Sequence, residues 1–295
     1  MKTRHFAQLL ALSALWGASF LFIRIASPAL GPWVLAAVRM GLAALTLLLL
    51  MTALRHRWPW AHWRELLGLA LLSVAAPFVL HAWAALHLSA GYSALLNSTA
   101  VVFGTLAAAW MGQDRLTGRK LLGCVLGFVG VGLIVRLGPI APTREVLVAA
   151  LACIGAAACY GLATPWMKRA TERLEPLAIA AAIHLIALAA LLPGAAWAWP
   201  QARLSAGALG AVAVLGVVTS GLAYWMFLRV MRHVSPVAAA STAFMIPVFG
   251  VAWGALFLGE PVGSGMWAGG ALILLATALV TGFNPLRALL AAARP

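Results

Sequence analysis

Few side chains in this sequence could do chemistry inside its long apolar runs. His81 and His184 lie in the middle of such runs, whereas every Asp and Glu lies near a run's end or between runs. Acid–base catalysis needs a nearby pair of titratable groups, and metal binding needs a cluster of ligands. Because the two histidines are far apart in the chain, the sequence argues against a membrane-embedded enzyme.

Cofactor motifs give the same result. No phosphate-binding G-x-x-x-x-G-K-[ST] loop occurs, because the nearest string, from Gly112 to Lys120, has the wrong spacing. The three cysteines, Cys124, Cys153 and Cys159, lie in apolar runs without zinc-ligand spacing and are predicted to be buried packing residues. The sequence predicts no cofactor, no metal site and no ATP hydrolysis by this chain.

The elements that must position these side chains are membrane helices. Apolar residues make up 64% of the chain and charged residues 9%. A spanning helix needs about 20 apolar residues, and ten runs of about that length fill the sequence. We place them near 5–26, 32–54, 66–86, 92–111, 119–136, 145–167, 176–199, 205–230, 236–258 and 264–283. The predicted fold is an all-α integral membrane protein with ten transmembrane helices.

The net charge of +14 reflects topology rather than a nucleic-acid partner. With a cytoplasmic N-terminus, 15 of the 20 Lys and Arg residues fall in cytoplasmic segments. Arg136, Arg144 and Arg203 fall outside, and Arg24 and Arg39 lie within helices. This bias follows the positive-inside rule. It predicts a multi-pass protein of a bacterial inner membrane, with both termini cytoplasmic and basic loops near anionic lipid headgroups.

The chain is an internal duplication. At an offset of 144–147 residues, Trp16-Gly17 aligns with Tyr160-Gly161 and His87 aligns with His233. Other matches keep the same order, which indicates two repeats, residues 1–140 and 141–295. Five helices per repeat require the second repeat to be inverted. Inverted repeats are typical of alternating-access transporters, whose substrate site lies near the midplane between the halves.

Several motifs carry a resemblance that covers nearly the whole chain. They are Leu15–Phe20, Val38–Ala43, Ile246–Phe249, Leu258–Pro261 and the Gly-rich stretch that starts at Gly269. With them the chain resembles the EamA family of the drug/metabolite transporter superfamily, and within it the exporters of aromatic and other neutral amino acids. The resemblance implies ten helices in two five-helix repeats. Gln113-Asp114 departs from the family's usual Gly-Glu pair.

Six residues are predicted to line a central substrate site, on helices related by the duplication. Trp16 is too deep for the interfacial belt, and its repeat mate is Tyr160, although core packing is the alternative for both rings. The predicted lining residues are Trp16, Phe78, His81, Asn97, Tyr160 and Tyr224. Asn97, with Ser98, Ser241 and Thr242, could form hydrogen bonds with an amino acid's charged groups or with neighbouring helices.

Arg39, Pro77 and Pro247 are predicted to have structural or gating roles. Arg39 should face the bundle and pair with carbonyl groups, or attract a substrate carboxylate. The two prolines lie inside helices and could bend them. Arg24 is expected to reach the outer surface.

The remaining expectations concern packing and surface groups. The glycines of the fifth helix should form a close-packing ridge; they are Gly123, Gly127, Gly130 and Gly132. The acidic residues are placed in cytoplasmic loops (Glu65, Asp114, Glu172 and Glu175) or at the outer surface (Glu145 and Glu260).

These features predict a transporter that exports amino acids with apolar or aromatic side chains as the two halves rock about a central cavity. It is expected to work as a monomer, either as a facilitator, which we favour, or coupled to protons through a histidine. The alternatives are efflux of lipophilic drugs or metabolites and, from other classes, a lipid scramblase or membrane-embedded enzyme.

Overall fold

The computed structural model describes residues 3–113, 115–137, 141–231, 233 and 242–281. These residues form helices joined by short turns, with no β-strand among them. Asp114, Ser241 and part of the basic residues counted as cytoplasmic (Lys2, Arg232, Arg287 and Arg294) lie outside the described residues.

Helices occur where the hydrophobic runs predict them. The first two runs form one bent element, α1 (Thr3–Ala53), whose two arms meet at Gly31 (φ 70°, ψ 163°). A positive φ suits glycine because it has no Cβ. The others are α2 (Trp60–Ala84), α3 (Ala90–Trp110), α4 (Gly118–Leu137), α5 (Arg144–Arg173), α6 (Pro176–Ala198), α7 (Ala206–Val230), α8 (Thr242–Leu258) and α9 (Ser264–Thr281).

Six segments of the described chain are long and apolar enough to cross a membrane, with α1 counted as one. They are α1, α2, α3, α5, α6 and α7; shorter apolar helices occupy Met245–Leu258 and Ser264–Val280. The chain is therefore a multi-pass helical membrane protein. Ten crossings stay a prediction.

Two helices contain wider π-helical turns at corresponding places in the duplication. In α2 the π turn is Leu71–Ala75, just before Pro77, and in α7 it is Val214–Leu222. Such turns are rare and leave some backbone groups without their usual helical partners. In addition, α3 is interrupted at Ser98 and Thr99.

The helices of the two halves pack through paired glycines. A Cβ atom at Gly17 would lie 2.6 Å from the Cβ of Phe249, and one at Gly161 would lie 2.5 Å from the Cβ of Phe103. Gly17 and Gly161 are repeat mates, as are Phe249 and Phe103. Helix α1 thus approaches α8 in the same way as α5 approaches α3. Both approaches are this close because glycine has no Cβ atom.

The predicted ridge on α4 needs one correction. Cβ atoms at Gly123 and Gly130 would fall within 3 Å of α9, and one at Gly127 would meet Val102 of α3. Gly132 was wrongly included, because a Cβ there would have no neighbour within 4 Å. It points away from the other three around the helix.

Contacts between helix ends join segments predicted to lie on the same side. The backbone N–H of Arg203 donates to the carbonyl oxygen of Ala29 at 2.7 Å, both near the predicted outer face. Arg173 and Glu65 form an ion pair at 2.8 Å near the predicted inner face. These contacts agree with successive helices running in opposite directions.

Candidate functional site

Arg39 is a buried cation on the second arm of α1. Only 5% of its surface is exposed. Its guanidinium lies 3.8 Å from the centre of the Phe78 ring, its Nε donates to Oγ of Ser220 at 2.7 Å, and its Nη2 donates to Oγ1 of Thr219 at 3.4 Å. The prediction that Arg39 pairs with carbonyl groups is therefore wrong, because hydroxyl groups and a ring face contact this cation instead.

His81 lies one turn beyond Phe78 on α2. Its Nε2 is 3.2 Å from Oδ1 of Asn97, which fixes the ring against α3. The ring packs edge-to-face on Phe20 at 5.4 Å and stacks on Tyr160 at 6.1 Å between centroids. Its Nδ1 lies 3.7 Å from Sγ of Cys153. His81 is thus held on several sides by polar and aromatic neighbours.

The rest of the aromatic lining consists of Trp16 from the first half and rings from the second half. Trp16 is half-buried; its Nε1 donates to the carbonyl oxygen of Thr219 at 3.1 Å, and its ring packs on Phe227 at 4.9 Å. Tyr224 packs edge-to-face on His184 at 5.1 Å. The π turn of α7 supplies the Thr219 carbonyl, so its irregular backbone is part of this region.

The structure brings five of the six predicted lining residues into two neighbouring groups. Phe78 borders Arg39, and His81 contacts both Asn97 and Tyr160. Trp16 joins them through Thr219, which also bonds Arg39. Tyr224, the sixth, lies beside His184.

The two prolines are placed differently. Pro77 is buried next to Phe78 and follows the π turn of α2 directly. Pro247 is buried in α8, near the close contact between Phe249 and Gly17. Bending at either proline stays a prediction.

Several residues of this region escaped the sequence analysis as lining candidates. They are Phe20, Cys153, His184, Thr219, Ser220 and Phe227. The duplication contained a signal for two of them. At an offset of 146, Phe227 is the mate of His81 and Thr219 is the mate of Ser73, a buried hydroxyl in the π turn of α2.

Glu260 is more buried than a surface acid should be. Both carboxylate oxygens accept a hydrogen bond from the backbone N–H of Ala90 at 2.9 Å, and Oε2 accepts another from Gly91 at 3.4 Å. This carboxylate satisfies the free N–H groups at the start of α3. The placement of Glu260 at the surface is corrected accordingly.

Arg24 makes contacts that the sequence did not predict. Its Nε lies 3.9 Å from Oε1 of Glu260, and its Nη1 donates to the carbonyl oxygen of Ala85. Arg24 therefore connects α1, the end of α2 and the loop after α8.

The cysteines fit the packing interpretation in part. Cys124 and Cys153 are buried and free, whereas Cys159 is only half-buried. Among the described residues, no group of three or more His, Cys, Asp and Glu side chains could hold a metal ion.

A cavity of about 400 Å³ lies near the predicted cytoplasmic end, away from Arg39 and His81. Its lining residues are Leu54, His56, Glu175, Pro176, Trp225, Arg229 and His233. Trp225 follows Tyr224 directly, so the cavity adjoins the second half's part of the candidate site.

A duplicated helical membrane bundle with polar and aromatic groups buried between its halves defines a membrane transporter rather than a soluble binding protein. The model of the EamA-like transporter family matches twice, over residues 6–136 and 147–282. The chain belongs to this family.

Individual relatives agree. An uncharacterized transporter of Bacillus subtilis, YvbV, is 25% identical over 95% of this chain and 92% of its own length. A protein of Streptantibioticus cattleyicolor named "probable terminal-alkyne amino-acid exporter" is 26% identical over 90% of this chain and 89% of its own. A solved crystal structure superposes with a TM-score of 0.69 at 17% identity, over 95% of this chain and 99% of that one, which supports the fold.

Proposed function

We propose that this transporter exports neutral amino acids with apolar or aromatic side chains across the bacterial inner membrane. The observation that carries the proposal is a buried cluster in which Arg39 contacts the Phe78 ring and two hydroxyl groups of the second half. Beside it, rings of the two halves pack on each other, His81 on Tyr160 and Trp16 on Phe227. Aromatic faces suit an apolar side chain, and buried polar groups suit a small charged head. The name of the Streptantibioticus relative adds support for an amino-acid substrate.

The substrate is proposed to contact Trp16, Phe78, His81, Asn97, Tyr160 and Tyr224. Arg39 connects the two halves through Ser220 and Thr219, so movement of one half against the other must change these contacts. Pro77 and Pro247 are the proposed bending points. No cofactor or catalytic step is involved, and a monomer suffices.

Transport is proposed to proceed by alternating access in ten helices, arranged as inverted repeats 1–140 and 141–295 with both termini cytoplasmic. The repeated glycine contacts at Gly17 and Gly161 and the paired π turns support this arrangement. Helix-end contacts such as that between Glu65 and Arg173 support alternating helix direction.

The test is an uptake panel in proteoliposomes containing the full chain. Labelled phenylalanine, tryptophan and leucine should enter saturably, and aspartate and lysine should not, with protein-free liposomes as the control. Saturable flux of lipophilic drugs without any amino-acid flux would replace the proposal with the drug-efflux alternative.

A further inference from the structure

His184 has a buried hydrogen-bonding atom without a partner. Its surface is fully buried on α6, and its Nδ1 lies 2.8 Å from the carbonyl oxygen of Ala180. A carbonyl oxygen only accepts, so Nδ1 carries the proton, and Nε2 of the neutral ring is left as an acceptor. Among the described residues, Nε2 has no hydrogen-bond partner. An unmade buried hydrogen bond is costly, which suggests that a ligand completes it.

Arg39 offers the complementary group. Its described hydrogen bonds use Nε and Nη2 and go to neutral hydroxyl groups. Within the described chain, the ion pairs are Arg24 with Glu260 and Arg173 with Glu65, so no carboxylate of this region compensates Arg39. A guanidinium has five N–H donors and binds carboxylates well. A carboxylate brought by a ligand would balance this buried charge.

One turn of α7 connects the two groups. Ser220 accepts a hydrogen bond from Arg39, and Tyr224, four residues later, packs on the His184 ring. Arg39 and His184 therefore contact the same short stretch of α7, on which a ligand with a carboxylate and an ammonium on one carbon atom presents both charges close together.

We infer that Arg39 and His184 bind the two charged groups of a free α-amino acid. Arg39 donates hydrogen bonds to the carboxylate, and Nε2 of His184 accepts one from the ammonium. The inference rests on the proposed function and specifies how the same site selects its substrate. The aromatic residues beside these groups then receive the side chain. The pair favours a free amino acid over its amide, its amine or its deaminated acid.

The experiment measures binding of three related probes to the purified full chain. L-phenylalanine has both charges, 3-phenylpropionate lacks the ammonium and 2-phenylethylamine lacks the carboxylate. His184→Phe removes the acceptor but keeps a ring against Tyr224, His184→Gln keeps an acceptor near the Nε2 position, and Arg39→Gln removes the cation. His87→Phe, in the loop between α2 and α3, is the matched control.

His184→Phe should weaken L-phenylalanine binding on the order of tenfold or more, as expected for a hydrogen bond to a charged group. Its affinity for 3-phenylpropionate should not change, and His184→Gln should recover much of the loss. Arg39→Gln should weaken both carboxylate probes but not 2-phenylethylamine.

Equal weakening of all three probes by His184→Phe, despite normal folding, would overturn the inference while leaving amino-acid transport intact. If His184→Phe does not fold, an unchanged preference of Arg39→Gln for L-phenylalanine over 2-phenylethylamine would overturn it. Binding of no amino acid by the wild-type protein would instead contradict the proposed function itself.

Discussion

At the residue scale, two side chains of the first repeat depend on one short stretch of the second. Trp16 bonds to the backbone of Thr219, and Arg39 bonds to the hydroxyl groups of Thr219 and Ser220. Thr219 belongs to the π turn of α7, so any movement of that turn reaches both the aromatic lining and the buried cation. This arrangement makes the substrate contacts sensitive to the relative position of the halves.

The first prediction concerns the rings of Trp16 and Tyr160. Trp16→Ala and Tyr160→Ala should each reduce the transport of phenylalanine strongly, because they remove the faces on which its ring would stack. Trp16→Phe should retain more activity, since it keeps the packing on Phe227. The measurement is initial uptake rate in proteoliposomes, with monodisperse elution from gel filtration as the check on folding.

Trp197→Ala is the control, because Trp197 is 75% exposed at the end of α6. It removes the same ring from an exposed position and should transport normally. Normal transport by both Trp16→Ala and Tyr160→Ala would make these rings ordinary core residues.

His81 carries a separate prediction. His81→Gln should keep most of the flux, because a glutamine amide can still bond to Asn97 and titration of the imidazole is not required for facilitated transport. The comparison is phenylalanine exchange at equal pH on both sides of the membrane. Complete loss of exchange, with folding preserved, would show that the imidazole itself is needed.

At the element scale, the duplication is visible as repeated geometry. Helix α1 meets α8 through Gly17, and α5 meets α3 through Gly161. The π turns of α2 and α7 fall at matching positions. Both contacts join one half to the other, so the duplication produces the same contact between the halves twice.

Alanine at either of these glycines should destabilise the bundle. The added Cβ would meet backbone atoms, 2.9 Å from the N of Gly250 in one case and 2.6 Å from the N of Gly104 in the other. Overpacking of this kind costs about 1–3 kcal/mol, so Gly17→Ala and Gly161→Ala should melt at lower temperature in detergent. Gly132→Ala, with open space around it, should melt like the wild type.

The sequence allowed the helices to be predicted because bilayer thickness sets their length and hydrophobicity. It did not show the π turns or the interruption at Ser98, since local backbone register depends on packing. The partners of Arg39 could not be predicted from the sequence either, because Ser220 lies in the other repeat. Glu260 was misplaced for a similar reason: its bonds to Ala90 and Gly91 join segments distant in sequence.

At the scale of the whole molecule, ion pairs tie the helix ends together on both predicted faces. Arg24 and Glu260 connect the outer ends of the two halves, and Glu65 and Arg173 connect the inner ends. The second pair is exposed and contributes little to stability. The first includes a carboxylate held by backbone N–H groups of α3, so opening the outer side must break or move these bonds.

The orientation gives a labelling prediction. Cysteines introduced at 112–118 and 169–175 should be protected from impermeant thiol reagents in intact cells, whereas those at 138–143 and 260–263 should react. The reason is the bias of 15 basic residues against 3 between the predicted faces. Labelling of the first group in sealed cells would overturn the topology and, with it, the inversion of the repeats.

The most direct test of the account is the time course of labelled L-phenylalanine uptake into proteoliposomes, with and without an imposed pH gradient. The described acidic residues lie at helix ends or in loops, and Glu260 is held there by backbone N–H groups at the start of α3. None of these carboxylates lies in the middle of a described helix, where proton relays of coupled transporters usually lie. We predict saturable entry that stops at equal concentrations inside and outside in both conditions. Uphill accumulation driven by the pH gradient would contradict the facilitator, and entry no faster than into protein-free liposomes would contradict amino-acid transport.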